Sequence, residues 1–360
     1  MPPVAVRILH PEPHAADGPL GRWVAAVRAE VAEDHRRAFL DAGADDAQVV
    51  GGAPDQGSFG ERLRGLITRG SVGGLVVLGS GAVPLATAAN RRAFVEIAAR
   101  DGRVALANNR YSADVVAISR ADALPDIPDL PGDNALPRWL EEVAGYQVAD
   151  LRGRWRLAFD IDGPLDLVLL GRTADEPGVS AMVATRLAAV SAVAMDRRAE
   201  LLVAGRTSAA TLAWLERHAA ARVRALVEER GLRAATRLAQ ANDGSPRPSR
   251  APGSLLGALL ERDGPGSLGT ILARFGDAAI VDSRVLLAHR FGADEEGWPV
   301  AEDRFASDLL LSDRIADTWL RELTASAADA PIPVVLGGHT LVGPGVRLVI
   351  RGRLGGLPWR

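Results

Sequence analysis

Along the 360 residues of the chain, apolar runs of strand length alternate with stretches whose apolar side chains recur at helical spacing. That is the pattern of α/β layers around a largely parallel sheet. VAVRIL (Val4–Leu9) reads as the first strand. Leu20, Trp23, Val24, Val27, Val31, Phe39 and Leu40 then mark one amphipathic helix from Leu20 to Asp41, stopped near Gly43. AQVV (Ala47–Val50) follows, then a helix over Ser58–Thr68 with Ser58 as cap and Glu61 three residues on, then the strand GLVVLG (Gly74–Gly79). A helix over Thr87–Arg100, strands at Val104–Ala107 and Asp114–Ile118, a helix over Asn134–Val143 and a short strand at Gln147–Ala149 complete this stretch. They lead into RLAFDIDGPLDLVLL (Arg156–Leu170), which reads as a buried strand ending in Asp160 and Asp162.

GRTADEPG after Leu170 reads as a turn or linker, and a long Ala-rich helix runs from about Val179 to Arg198. The boundary between two domains, 1–175 and 176–360, is placed here. ELLVAG (Glu200–Gly205), a helix over Ser208–His218 and the strand ARVRALVEE make one βαβ-like unit. ANDGSPRPSRAPGS (Ala241–Ser254) has the composition of a flexible loop or linker. AAIVDSRVLLAHR follows as a strand, then a helix near Phe305–Ile315, the strand in IPVVLGGH, and the apolar VRLVIRG. The expected fold is therefore a mostly parallel, three-layer α/β domain followed by a second α/β region.

Composition narrows the function classes. The 42 basic and 45 acidic residues give a net charge of −3, with no local basic run, so no nucleic acid partner is expected. Cysteine is absent, which removes disulfides, thiolate metal sites and cysteine nucleophiles. Every basic residue is arginine, so P-loop, Schiff-base and general-base lysines are excluded, and a phosphate would be held by Arg, backbone N–H groups or a metal. No segment approaches the ~20 apolar residues of a membrane span, and MPPVAVRILHPEPHAADG lacks the basic-then-apolar order of a signal peptide. The expectation is a cytoplasmic globular protein without a membrane partner. Its oligomeric state stays open, a homo-oligomer included.

Asp160 and Asp162, two apart on a strand, share a face and present oxygen ligands suited to a divalent cation. The plainer alternative is a turn at Asp162-Gly163-Pro164, with Asp166 capping the next helix and Asp160 satisfied by backbone. Gly79, Ser80 and Gly81 form a small-residue turn that either receives an anion on its N–H groups or simply connects strand to helix. Asn108, Asn109, Arg110 and Ser112 suit a base or phosphate, or build a turn. In the second half, His339 lies in LGGHTLVGPG, and His289 lies among Asp282, Arg284 and Asp294. Convergence of the two histidines with carboxylates would give a metal or acid–base site. In AEDRFASDLL, Phe305, Leu309 and Leu310 read as a packed helical face with Asp303 and Asp308 solvated. No Walker loop, Gly-x-Ser-x-Gly elbow or His-Glu-x-x-His helix is present.

ANNRYSADVVA, DNALPRWLEEVAGYQV and LAFDIDGPLDLVLL, with the earlier VVLGSGAVPLAT, resemble the molybdenum-cofactor guanylyltransferase-like superfamily. The phospholactate guanylyltransferases are the nearest members, and the resemblance covers roughly the first half of the chain. It implies a nucleotidyltransferase (GT-A-like) fold that binds a nucleoside triphosphate with Mg²⁺ and moves a nucleotidyl group to a small phosphorylated acceptor. Asp160 and Asp162 would hold the metal, Gly79, Ser80, Gly81 and Asn109 the nucleotide, and Arg22 or Arg110 the phosphates. Where the resemblance implies a further Asp two residues before Pro84, the chain has Ala82, and the opening loop HPEPHAADGPLGR offers Gly18, Gly21 and Arg22 without a lysine. Two other readings stand beside it. One is a catalytically silent ligand-binding or scaffold protein, and the other places the active site in the second half around His289 and His339.

Overall fold

The computed structural model describes residues 2–13, 17–52, 58–68, 73–124, 127–130, 132–172, 177–229 and 252–351. The Ala241–Ser254 segment up to residue 251 lies outside them. The chain forms two compact units, with the division falling between Asp160 and Ile161. Asp17–Val24 counts with the second unit.

The first unit is built on β1 (Val4–Pro11), α1 (Pro19–Asp41), β2 (Asp46–Gly52), α2 (Phe59–Thr68), β3 (Gly74–Gly79), α3 (Ala88–Ala98), β4 (Val104–Ala107), β5 (Val115–Ile118), α4 (Leu136–Glu142) and β6 (Gln147–Asp150). The strands form one sheet in the order β2-β1-β3-β5-β4-β6, parallel except for β5, which runs against β3 and β4. Alternate strand residues feed two cores, as the pleat requires. Leu75, Val77, Ala105, Val116 and Ile118 pack with Phe59 and Leu63 of α2 and Trp139 and Leu140 of α4. Val6, Ile8, Val76, Leu78, Val115 and Ala117 pack with Ala32 and Phe39 of α1 and Phe94 and Val95 of α3. The sheet is thus the middle of three layers. Helix starts follow local chemistry: Ser58 and Glu61 exchange reciprocal bonds at α2, as do Thr87 and Asn90 at α3.

The expected strand over Arg156–Leu170 is not formed. A 3₁₀ turn covers Trp155–Ala158, Asp160 makes an isolated antiparallel bridge with Ala82, and α5 (Pro164–Leu169) follows. Gly163-Pro164 opens this helix, and Asp166 accepts the N–H groups of Asp162 and Gly163, both at 2.9 Å. Every residue of α5 is buried, so its apolar run carries no periodicity that separates helix from strand.

The second unit continues with α6 (Pro177–Ala194), β7 (Glu200–Gly205), α7 (Ala209–His218), β8 (Arg222–Val227), α8 (Leu255–Asp263), α9 (Leu268–Ala273), β9 (Ala278–Asp282), α10 (Ser283–Phe291), α11 (Ala301–Asp308), α12 (Thr318–Ala328), β10 (Val334–Gly337) and α13 (Val346–Arg351). Its four strands are all parallel in the order β10-β9-β7-β8. The chain leaves β7 toward β8 on one side and adds β9 and β10 on the other, so the order reverses between β7 and β9. In open parallel sheets that point, at the carboxyl ends of the strands, is where ligands bind. Two expectations are corrected here. AAIVDSRVLLAHR is a strand only to Asp282, after which Asp282 caps α10 by accepting the Arg284 N–H. The helix expected near Phe305–Ile315 begins earlier and ends at Asp308.

His35, on the part of α1 within the first unit, is wholly buried. Its Nε2 lies 2.8 Å from the Ala82 carbonyl, so Nε2 carries the proton and Nδ1 faces the Arg91 guanidinium at 3.4 Å. The next residue, Val83, is held at a φ of +41°, a strained angle for a β-branched side chain. Burial, and after it the Arg91 charge, pushes the His35 pKa down to about 4, with the Ala82 bond opposing. The unfolded chain therefore takes up a proton near pH 6.5 that the folded chain refuses until about pH 4. Stability is full above that window and falls across it, by on the order of 3 kcal/mol at most. Urea unfolding between pH 7 and 4.5 is expected to show this loss in the parent chain. A His35→Gln variant, which keeps a donor for Ala82, is expected to lack one proton's worth of the slope.

Candidate functional site

In the second unit, three strands each end in a step from apolar core to polar side chain: Gly205-Arg206 after β7, Asp282-Ser283-Arg284 after β9, and Gly337-Gly338-His339 after β10. The Asp282 side chain has no exposed surface. A bare carboxylate there would be prohibitively costly, and it is held by a fork from Arg206, Nε to Oδ2 at 2.6 Å and Nη2 to Oδ1 at 3.0 Å. The Arg206 and Arg284 backbone N–H groups complete its shell at 3.4 and 3.2 Å. Gly205 makes this approach feasible. It sits at φ +124°, and a Cβ on it would fall 2.2 Å from the Asp282 Cβ.

A second buried fork lies beside it. Arg284 donates from Nη1 and Nη2 to the two oxygens of Asp308, each at 2.6 Å, and from Nη1 to Ser283 Oγ at 2.9 Å. Ser283 Oγ in turn donates to the Gly337 carbonyl, tying β9 to β10. Burial pushes the Asp308 carboxyl upward while Arg284 opposes it. The expectation that Asp303 and Asp308 are solvated is thereby corrected. Asp308 is enclosed with Arg284, and Asp303 is buried because it accepts the N–H groups of Ala316 and Asp317.

Within the same unit, His339 Nδ1 stands 3.2 Å from Asp162 Oδ2, with the His339 side chain 40% exposed. Partial burial disfavours its positive charge, but the Asp162 hydrogen bond and charge outweigh it and the pKa is pushed up to about 8. Arg206 lowers that value and Asp282 raises it, so both lie within electrostatic range of the imidazole. The buried Asp166 carboxyl is pushed well up, first by burial and then by the Asp162 charge, against its two backbone donors. The arrangement thus holds a carboxylate–imidazole pair whose Nε2 makes no hydrogen bond to a described residue, a forked Arg206, and a second carboxyl shielded from water. It is suited to binding a polar ligand and to moving a proton at His339 Nε2.

The other sequence candidates are engaged elsewhere. His289 Nδ1 accepts the Ser254 N–H at 3.0 Å, and its Nε2 faces Glu261 at 3.3 Å, which braces α10 against α8. It shares no partner with His339. Asp160 falls in the first unit and Asp162 in the second. In the first unit the Gly79 and Ser80 N–H groups donate to the Asp114 and Leu9 carbonyls, Ser80 Oγ meets His10 Nδ1 at 3.1 Å, and Gly81 is buried in the same turn. Asn109 Oδ1 accepts the Tyr111 N–H, while Arg110 binds Glu141 and the Val148 carbonyl. In the second unit Arg22 donates to the Asp17 carbonyl, and Glu302 caps the start of α1 by accepting the Leu20 and Gly21 N–H groups at 3.0 Å each. A Cβ on Gly18 would fall 2.2 Å from the Glu302 carboxyl carbon, so a larger residue there would displace that cap.

Among the described residues no three His, Asp or Glu side chains are grouped to hold a metal ion. Sequence reasoning missed Arg206 and Thr207; the signal was a Gly-Arg-Thr-Ser step between an apolar run and a helix. GPGSLG (Gly264–Gly269) has the spelling of a dinucleotide fingerprint but joins α8 to α9 without a preceding strand, so its context does not support one. Compared with known proteins, the chain matches no family model and no curated protein.

The two forks make a stability prediction. Asp308→Ala leaves Arg284 buried without its partner and is expected to cost about 3–5 kcal/mol. Replacing both, Arg284→Met with Asp308→Leu, is expected to recover most of that. Chemical denaturation of the three chains checks the order.

Proposed function

We propose that this protein handles a small polar ligand in its second unit, at the carboxyl edge of the four-stranded sheet, with His339 as the proton-transferring group. Asp162 positions the imidazole and raises its basicity, and Arg206 supplies a fixed cation. The first unit then serves as a nucleotidyltransferase-like scaffold without transfer activity. The observation that carries this reading is the Asp162–His339 contact at 3.2 Å, which engages on an imidazole the carboxylate that the family resemblance would give to a metal. Ala82, the absence of lysine and the internal engagement of Asn109 and Arg110 support it.

A nucleotidyl-transfer reading with Mg²⁺ and a small phosphorylated acceptor keeps one observation in its favour. The bridge between Ala82 and Asp160 brings Asp160 beside the position where the resemblance implies a further carboxylate. With alanine there, Asp160 would hold the cation with one acidic partner fewer, which weakens charge neutralisation of a leaving pyrophosphate. The compartment follows only as far as the helices allow: among the described residues, none is long and apolar enough to cross a membrane. Cytoplasmic location remains part of the proposal.

At neutral pH His339 is mainly protonated and poised as a donor. Asp162→Asn removes the negative charge and is expected to lower its pKa from about 8, read by NMR titration of the imidazole. Calorimetry with ATP, GTP and CTP, with and without Mg²⁺, separates the two readings. Metal-dependent binding abolished by Asp160→Ala would overturn the second-unit assignment, whereas nucleotide silence with a shifted His339 supports it.

A further inference from the structure

Between β7 and the start of α7, several donors find no acceptor among the described residues. Arg206 directs Nε and Nη2 to Asp282, while its Nη1 makes no hydrogen bond to any described residue. Thr207 is only 8% exposed, and its hydroxyl is buried without a hydrogen-bond partner. A buried, unsatisfied hydroxyl is destabilising and uncommon, and it calls for an explanation in what the site receives. Ser208 then caps α7 by accepting the Thr211 N–H at 3.2 Å, which leaves the Ala209 and Ala210 amides opening the first turn of a ten-residue helix. These groups follow β7 at the point where the strand order reverses, and His339 lies within electrostatic range of Arg206.

We propose that this strand-to-helix connection is a phosphate-recognising subsite, with Arg206 Nη1, the Thr207 hydroxyl and the α7 amides holding the phosphate of a small phosphorylated ligand; this rests on the second-unit reading above. A tetrahedral anion matches the donor set, because Arg206, Thr207 and the first amides of α7 follow one another along the chain and offer more directional N–H and O–H groups than a carboxylate would use. The surrounding cations and carboxylates nearly balance: Arg206 faces Asp282, Arg284 faces Asp308, and His339 faces Asp162. Recognition therefore depends on directional donors more than on net charge. The phosphate held there would lie near His339, which places the proton-transfer group beside a phosphorylated substrate.

The test uses the full chain with inorganic phosphate and, separately, acetate as probes, followed by calorimetry and thermal unfolding at constant ionic strength. Thr207→Val removes the hydroxyl while keeping the shape. It is expected to raise the Tm of the free protein, since an unsatisfied buried group is deleted, and to weaken phosphate binding by about ten- to a hundredfold. Thr207→Ser is expected to retain binding. A Val variant that binds phosphate as well as the parent overturns the proposal, as does a parent chain that shows no phosphate response at tens of millimolar. Acetate binding lost in His339→Gln, without any phosphate response, removes the phosphate assignment and leaves the second-unit site standing. Silence toward both probes counts against both.

Discussion

The carboxylate of Asp282 is fully removed from water at the end of β9, and much of the second unit is arranged to make that tolerable. An isolated charge in such a place would be neutralised or expelled. Here the Arg206 guanidinium supplies two bonds and two backbone amides supply the rest. The consequences spread outward from that contact. Gly205 must be glycine, at φ +124°, so that β7 can approach Asp282. Helix α10 begins where it does because Asp282 caps it, and Arg206 is fixed with one nitrogen left over. A site in which the cation is already oriented binds without first having to order that side chain.

The other buried carboxylates among the described residues are also held by paired donors. Arg284 and Asp308 form a second fork, Asp303 takes two amides at Ala316 and Asp317, Asp166 takes two at Asp162 and Gly163, and the half-buried Glu302 takes two at the start of α1. In a chain without lysine the planar arginine fork takes over side-chain pairing of buried carboxylates such as Asp282 and Asp308, and that fork fixes orientation as well as charge. Carboxylates that look solvated in sequence can therefore be structural. Asp162 differs from these acids: its side chain is exposed, and its oxygen meets an imidazole that is also reachable from solvent.

How much of this was legible depended on whether a signal was local. Periodicity and turn residues located β3 and β4 to the residue, and the caps Ser58, Thr87 and Ser208 marked helix starts because the bonds they make span three residues. The segment from Gly163 onward was misread because a helix buried on all sides has the same apolar composition as a buried strand. DSRVLLAHR was misread for the same reason, its helix being buried through Ala288. Asp303 and Asp308 were taken for a solvated face because their partners, Ala316 and Arg284, lie in other elements that no local pattern announces. His339 was visible as a candidate, but its partner was not: Asp162 is far away in sequence and was grouped with its neighbour Asp160. The family resemblance drew attention to the first half and to Asp162 beside Asp160, but it could not indicate which side chain Asp162 would meet.

The most direct check on the location of the site is chemical-shift mapping of the labelled full chain during titration with inorganic phosphate and then with ATP and Mg²⁺. The perturbed amides and side chains are expected to centre on Arg206, Thr207, Ser208 and His339. Perturbations centred instead on Gly79, Ser80, Gly81 and Asn109, with those of the second unit unmoved, would contradict that location.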